Sequence, residues 1–234
     1  MTELIDTFFV LDFDRCLGDY DANVKLIKDI INELSIVDAK TFQKDHDETK
    51  ANGMTFRVLD YLKENDPDTN LDVIQNAYAK RAQATPGCLL ESGANEFINF
   101  LRSANRNFCI MSYGDQSWQM TKITAAGFGD IIKIIVSNEH KSLHINEWFD
   151  EKSRCFVVPK ECFSDGIAKR AHEVVLIDDK VKAFKDLHPS ARGYLLQSIS
   201  RIYASPQGKL PSSVKRVTRL DEIIEHESKI LQKI

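Results

Sequence analysis

The chain has 234 residues, 43% of them hydrophobic and 28% charged, an ordinary globular mixture that excludes a disordered, collagenous or coiled-coil protein. Thirty-one basic against thirty-five acidic side chains leave a net charge of −4, so no overall positive field favours nucleic acid or an anionic membrane, and a small partner is expected. No stretch approaches the roughly 18 uncharged apolar residues of a membrane span, and five cysteines without CxxC spacing fit neither a disulfide framework nor a thiolate zinc site, which makes the cytoplasm the expected compartment.

The first predicted element is a strand over 7–13, an apolar run interrupted by Asp12 and Asp14. Acids in that run, and none of the basic residues of a signal peptide before it, argue against a targeting segment. Helical spacing then recurs at 23–34, 55–63 and 71–84 with no convincing strand between, and the polar stretch 42–57, with an Asn52-Gly53 turn, reads as a helix-helix connection. Its His46, Lys50 and Arg57 are candidates for contacts with a substrate's leaving group. Breakers at Pro67 and at Thr85-Pro86-Gly87 punctuate and close this block.

From residue 88 onward the pattern alternates. Strands are predicted at 108–111, 131–136, 155–158, 174–177 and 193–196, and helices at 94–103, 116–126, 161–170, 181–187 and 220–231. Regular alternation predicts a doubly wound, mainly parallel α/β sheet with right-handed crossovers. The expected division is a core of residues 1–18 and 88–234 carrying an inserted helical domain of residues 19–87.

In such a sheet ligands bind beyond the C-terminal ends of strands, so the polar residues that follow apolar runs are the candidates for chemistry. These are Asp12 and Asp14 in LDFDRCLGD, Ser112 in FCIMSYGD, Lys160 in CFVVPKE, and Asp178 and Asp179 in VVLIDDK. Several carboxylates at one edge repel one another. A hydroxyl and an ammonium beside them make sense where a divalent cation and a phosphoryl group meet, and Mg²⁺ takes such hard oxygen ligands. Each residue also has an ordinary reading: Ser112 or Asp115 as a helix cap, Asp178 and Asp179 at a helix N-terminus, the lysines as solvated surface groups. His140 and His144 have the i, i+4 spacing of metal ligands but no evident third partner, and Trp118 and Trp148 read as packing residues.

The ordered set DxD, Ser, Lys and paired acids resembles the haloacid dehalogenase-like (HAD) superfamily, over nearly the whole chain. TPGCLLESGANEFINFLRSANRNFCIMSYGD and IDDKVKAFKDLHPSARGYLL resemble its segments around the second and fourth motifs, and the helical block stands where the family carries a C1-type cap. The resemblance implies an Mg²⁺-dependent phosphohydrolase of small phosphorylated metabolites. By it, Asp12 is the nucleophile, Asp14 the general acid and base, Ser112 a donor to a phosphoryl oxygen, and Lys160 the charge-neutralising group. Asp12, the Asp14 carbonyl, Asp179 and Asp178 as second ligand or support would hold the metal. A phosphotransferase or mutase would use the same chemistry, and a catalytically weak binding domain is the alternative of another class. Dehalogenation is disfavoured because it needs neither a metal nor Asp14. Three departures stand out. Arg15 replaces the common Gly, and Cys16, an expected oxidation liability beside the nucleophile, replaces Thr or Val. Only eighteen residues separate Lys160 from Asp178, which keeps Lys152 as a second candidate.

Overall fold

The computed structural model describes residues 3–52, 55–138, 140–197 and 209–232. These divide into two compact units: residues 1–17, 91–112 and 131–234 form one, and residues 18–90 and 113–130 form the other.

The first unit is built on an eight-stranded sheet. Strands β1 (Leu4–Leu11), β2 (Asn107–Tyr113) and β3 (Lys133–Val136) lie on one side. On the other side lie β6 (Lys169–Asp178), β7 (Arg192–Leu196) and β8 (Val214–Val217). A short pair, β4 (Phe149–Asp150) and β5 (Cys155–Val158), joins the first part of β6. The strand order runs β3-β2-β1-β6, continuing through β7 to β8. β1 pairs in parallel with both β2 and β6, and β6 and β7 continue the parallel arrangement. Phe8 to Leu11 and Val174 to Ile177 are fully buried, which is why these central strands are near-continuous apolar runs without alternation.

Helix α5 (Ala94–Ser103) buries Ala94, Phe97, Ile98 and Leu101, a helical stripe at i, i+3, i+4 and i+7, and packs against α8 (Leu220–Leu231). Arg192 ties β6, β7 and α8 together: its guanidinium donates to Glu173 at 2.6 and 2.8 Å and to Glu227 at 2.6 and 3.2 Å.

The second unit comprises α1 (Tyr20–Glu33), α2 (Ala39–Ala51), α3 (Val58–Asn65), α4 (Leu71–Ala84) and α6 (Gln116–Ile123). Asp19, Asp38, Asn70 and Asp115 cap the N-termini of α1, α2, α4 and α6 by accepting from first-turn amides. Ile27, Ile31, Phe42, Leu62, Ile74, Tyr78 and Trp118 make one apolar core. Tyr78 donates to buried Asn23 inside it. Gln75 on α4 reaches Ser117 and Thr121 on α6 at 2.9 and 2.7 Å. The segment 113–130, expected in the sheet unit, therefore groups with the helices because Trp118 completes their core.

Three expected elements differ. The polar stretch 42–57 carries most of α2 rather than an open connection, because Phe42 and His46 lie on one face and bury; Gly53 lies outside the described residues. The helix expected over 161–170 is a single 3₁₀ turn, Lys160–Cys162, followed by the start of β6. The one expected over 181–187 is the 3₁₀ turn Val181–Phe184.

Candidate active site

Asp12 follows β1 directly, and its N–H still donates to the carbonyl of Ile177 at 2.9 Å, so the β1–β6 ladder extends one residue past Leu11. Asp178 follows Ile177, the register partner of Leu11. Asp12 and Asp178 are thus lateral neighbours on adjacent parallel strands and share a face. Asp179 is next, and carboxylate oxygens of Asp12, Asp178 and Asp179 all lie within 4.8 Å of one another. Ser112 is fully buried two residues beyond Ile110, which pairs with Leu11, so β2 delivers its hydroxyl to the same sheet edge.

After Asp12 the chain closes a tight turn in which the N–H groups of Cys16 and Leu17 donate to the carbonyl of Phe13 at 3.2 and 2.9 Å. Half-buried Asp14 lies in this turn, and Arg15 holds a left-handed φ of 67°. That conformation costs a residue with a Cβ roughly 1–2 kcal/mol, which gives a physical reason for glycine being common there.

The lysine at the site is neither candidate from the sequence. Lys141, the first residue of α7 (Lys141–Glu147), extends its ammonium between Asp12 and Asp178 and reaches Asp178 Oδ2 at 2.6 Å, with Asp12 Oδ1 also in contact. Its side chain is 3% exposed. Lys160 is exposed at the other end of the sheet. β5 runs antiparallel to β6 and Val158 pairs with Lys169, so the chain leaves β5 at the N-terminal end of β6, nine residues or roughly 30 Å of strand from Asp178. Lys152 is exposed in the turn between β4 and β5. A mainly parallel sheet would carry Lys160 to the acids' end, and the antiparallel pairing of β5 carries it away. Lys141 lies five residues past Val136, too far to be marked as a polar residue directly following an apolar run, and no feature of a lysine's immediate neighbours separates it from a solvated one.

Burial pushes the Asp12 carboxyl up to about 8; Lys141 opposes the shift, and Asp178 and Asp179 add to it. Burial, then the charge of Asp178, brings Asp179 to about 6 against the pull of Lys180, Arg15 and Lys141. For Lys141, burial disfavours the charge, but Asp12 and Asp178 outweigh it and hold the ammonium protonated well above its usual range. Burial, then Asp12, raises the Cys16 thiol well above its ordinary value, which disfavours its reactive thiolate form. One side-chain oxygen of Asp179, Oδ1, is buried without a hydrogen-bond partner. Three convergent carboxylates, one of them with an orphaned oxygen, fit a hard divalent cation with few protein ligands and several waters.

Elsewhere the ordinary readings prevail. Trp118 and Trp148 are buried packing residues. His140 and His144 join no cluster of three metal-ligating side chains among the described residues. In the helical unit, buried His46 contacts the Tyr20 hydroxyl at 2.7 Å and Asp47 at 2.9 Å, Lys50 lies 4.3 Å from the Tyr20 ring centroid, and exposed Arg57 pairs with Asp60.

No family model and no curated protein matches the sequence. Solved structures do match over almost the full chain. A protein of Burkholderia xenovorans LB400 assigned to the haloacid dehalogenase-like hydrolases aligns with a TM-score of 0.63 at 20% identity, covering 97% of this chain and 98% of that one. The chain has the HAD-like fold. A HAD phosphatase from Thermococcus onnurineus aligns at 0.58 with 11% identity, over 97% of this chain and 98% of that one. A Bacillus subtilis protein assigned to the HAD hydrolases, solved bound to magnesium, aligns at 0.53 with 16% identity over 94% and 98%. At these identities the likeness is one of fold. The HAD-like sheet puts Asp12, Ser112 and Asp178 at the C-terminal ends of three neighbouring strands, β2, β1 and β6, where open α/β sheets bind ligands. No helix among the described residues is long and apolar enough to cross a membrane.

Proposed function

We propose that this protein is a Mg²⁺-dependent phosphohydrolase that removes phosphate from a small phosphorylated metabolite through an acyl phosphate (aspartyl phosphate) on Asp12. The observation that carries the reading is the convergence of Asp12, Asp178 and Asp179 around the buried ammonium of Lys141. The shared fold with a HAD phosphatase and with a magnesium-bound protein supports it.

In this mechanism an oxygen of Asp12 attacks phosphorus while the bond to the substrate's ester oxygen breaks, and Asp14 gives that oxygen its proton. Asp14 then takes a proton from water, whose oxygen attacks phosphorus and releases Asp12 and inorganic phosphate. Ser112 donates its hydroxyl to a phosphoryl oxygen, and Lys141 balances charge on Asp12 and the phosphoryl group without giving up its proton. Asp12, Asp178 and Asp179, with the Asp14 carbonyl, are the groups that would hold Mg²⁺, which when bound neutralises the phosphoryl oxygens and lets an anionic carboxylate approach phosphorus. Lys141 takes the part that the sequence suggested for Lys160 or Lys152.

The deciding experiment is hydrolysis of a chromogenic phosphate ester with Mg²⁺ and after exhaustive chelation. Turnover is expected only with the cation and should fall by several orders of magnitude in Asp12→Asn, since an amide is a poor nucleophile. Equal turnover in a folded Asp12→Asn protein would remove Asp12 from the chemistry.

A further inference from the structure

Lys141 comes to the acids on an arm of the chain separate from theirs, after the edge strand β3, and its placement depends on what holds α7 against the segment that follows Asp178 and Asp179. We infer that Ser142 and Asn146 are positioning residues that lock the two arms together and so fix the Lys141 ammonium between Asp12 and Asp178. The pair stands at i and i+4 on one face of α7. Ser142 is completely buried, and its hydroxyl donates to the carbonyl of Lys185. The Asn146 amide works in both directions: Nδ2 donates to the carbonyl of Asp186 at 2.7 Å, while Oδ1 accepts from the N–H of His188 at 2.9 Å.

The segment 185–188 needs such a partner. Asp186 holds a left-handed φ of 59°, a conformation unfavourable for a residue with a Cβ, and it persists where surrounding contacts over-determine it. The His188 ring stacks on Phe149 with centroids 3.8 Å apart, which anchors the far end of the segment to β4. The near end follows the 3₁₀ turn Val181–Phe184, only two residues after Asp179. Three hydrogen bonds from one helical face therefore join the lysine's helix to the acids' loop, and Ser142 is the residue next to Lys141. A lysine at the first turn of a helix is disfavoured by the helix dipole, so its position relies on these bonds and on its two carboxylates.

The catalytic arm of the test rests on the phosphohydrolase reading, so a second arm is independent of it. The reactivity of Lys141 toward a water-soluble acylating reagent is measured by peptide mass spectrometry in the native protein, with exposed Lys160 as internal reference. In Ser142→Ala, Asn146→Ala and the double variant, Lys141 should be acylated about tenfold faster or more than in the parent, because losing the hydrogen bonds that tie α7 to residues 185–188 raises the population of the locally open state. Lys160 should not change. With a chromogenic phosphate ester and saturating Mg²⁺, kcat should fall about tenfold or more while KM stays within about twofold, the signature of a group mispositioned for the transition state. Ile223→Val, remote on α8, serves as a control of lowered stability and should change neither readout. If the double variant does not fold, Ser142→Ala alone decides. Unchanged Lys141 acylation in a folded variant would overturn the inference. Absence of phosphatase activity in the parent would sink the functional reading and leave the acylation arm to decide this one.

Discussion

Lys141 is buried between two carboxylates, and its removal takes away the ammonium that contacts Asp12 and Asp178. Losing a charge-assisted contact in a desolvated site costs a few kcal/mol of transition-state stabilisation, so Lys141→Ala should lower kcat/KM by about 10²-fold or more. Lys160→Ala and Lys152→Ala, both at exposed positions, should stay within roughly threefold, less than 1 kcal/mol of barrier. Steady-state kinetics of the three variants check this, and a larger loss at Lys160 would mean that the direction of β5 is wrong. The acids make a second prediction. Asp179 at about 6 and Asp12 at about 8 both lie above the ordinary value near 4. A carboxyl whose folded value is raised contributes stability below its unfolded value and loses it as pH rises through the folded value. The cation-free protein should therefore lose stability between about pH 4 and 8, and Mg²⁺, which binds the ionised acids, should raise Tm more at pH 8 than at pH 6. Thermal melts with Mg²⁺ and with chelator at both values measure it, and a larger gain at pH 6 would contradict the reading.

At the scale of elements, the turn after the acidic pair is fixed by a close approach. A Cβ on Gly193 would stand 2.5 Å from Phe184 Cε1 and 3.2 Å from Val214 Cγ2, and Phe184 is wholly buried. Only glycine on β7 lets Phe184 seat the 3₁₀ turn that follows Asp178 and Asp179. Gly193→Ala should destabilise by about 1–3 kcal/mol through overpacking, read as a lower Tm, and Phe184→Leu in the same chain should recover part of the loss. A Gly193→Ala protein as stable as its parent would show that the ring can move aside. α5, α4 and α8 were legible in the sequence at the residue, because a buried face at helical spacing is a local pattern. The stretch 161–170 was not, since its spacing is helical while β6 claims its last residues through pairing with β1 and β5.

For the whole molecule, the helical unit draws its core from both sides of a long stretch of chain. Tyr78 on α4 packs its ring on Trp118 of α6 with centroids 4.9 Å apart, and Gln75 bonds to Ser117 and Thr121. Replacing residues 18–90 by a short linker should leave Trp118 without its core partners, so the shortened chain should bind a hydrophobic dye and melt earlier than the full one. A dye-silent, equally stable product would show that residues 113–130 do not depend on the other helices. The sequence by itself determined the α/β alternation, the DxD at the end of β1, the serine at the end of β2 and the acidic pair at the end of β6. These are local signals, apolar runs with polar residues at their ends, and parallel pairing of the central strands brings such ends together. Only the tertiary structure decided which lysine joins them and which segment completes the helical core. Whether a strand delivers its C-terminus to the acids or away from them depends on the direction of its pairing partner, and β5 pairs antiparallel. An ammonium becomes part of a site only when distant segments bury it between charges, and nothing in its immediate neighbours records that.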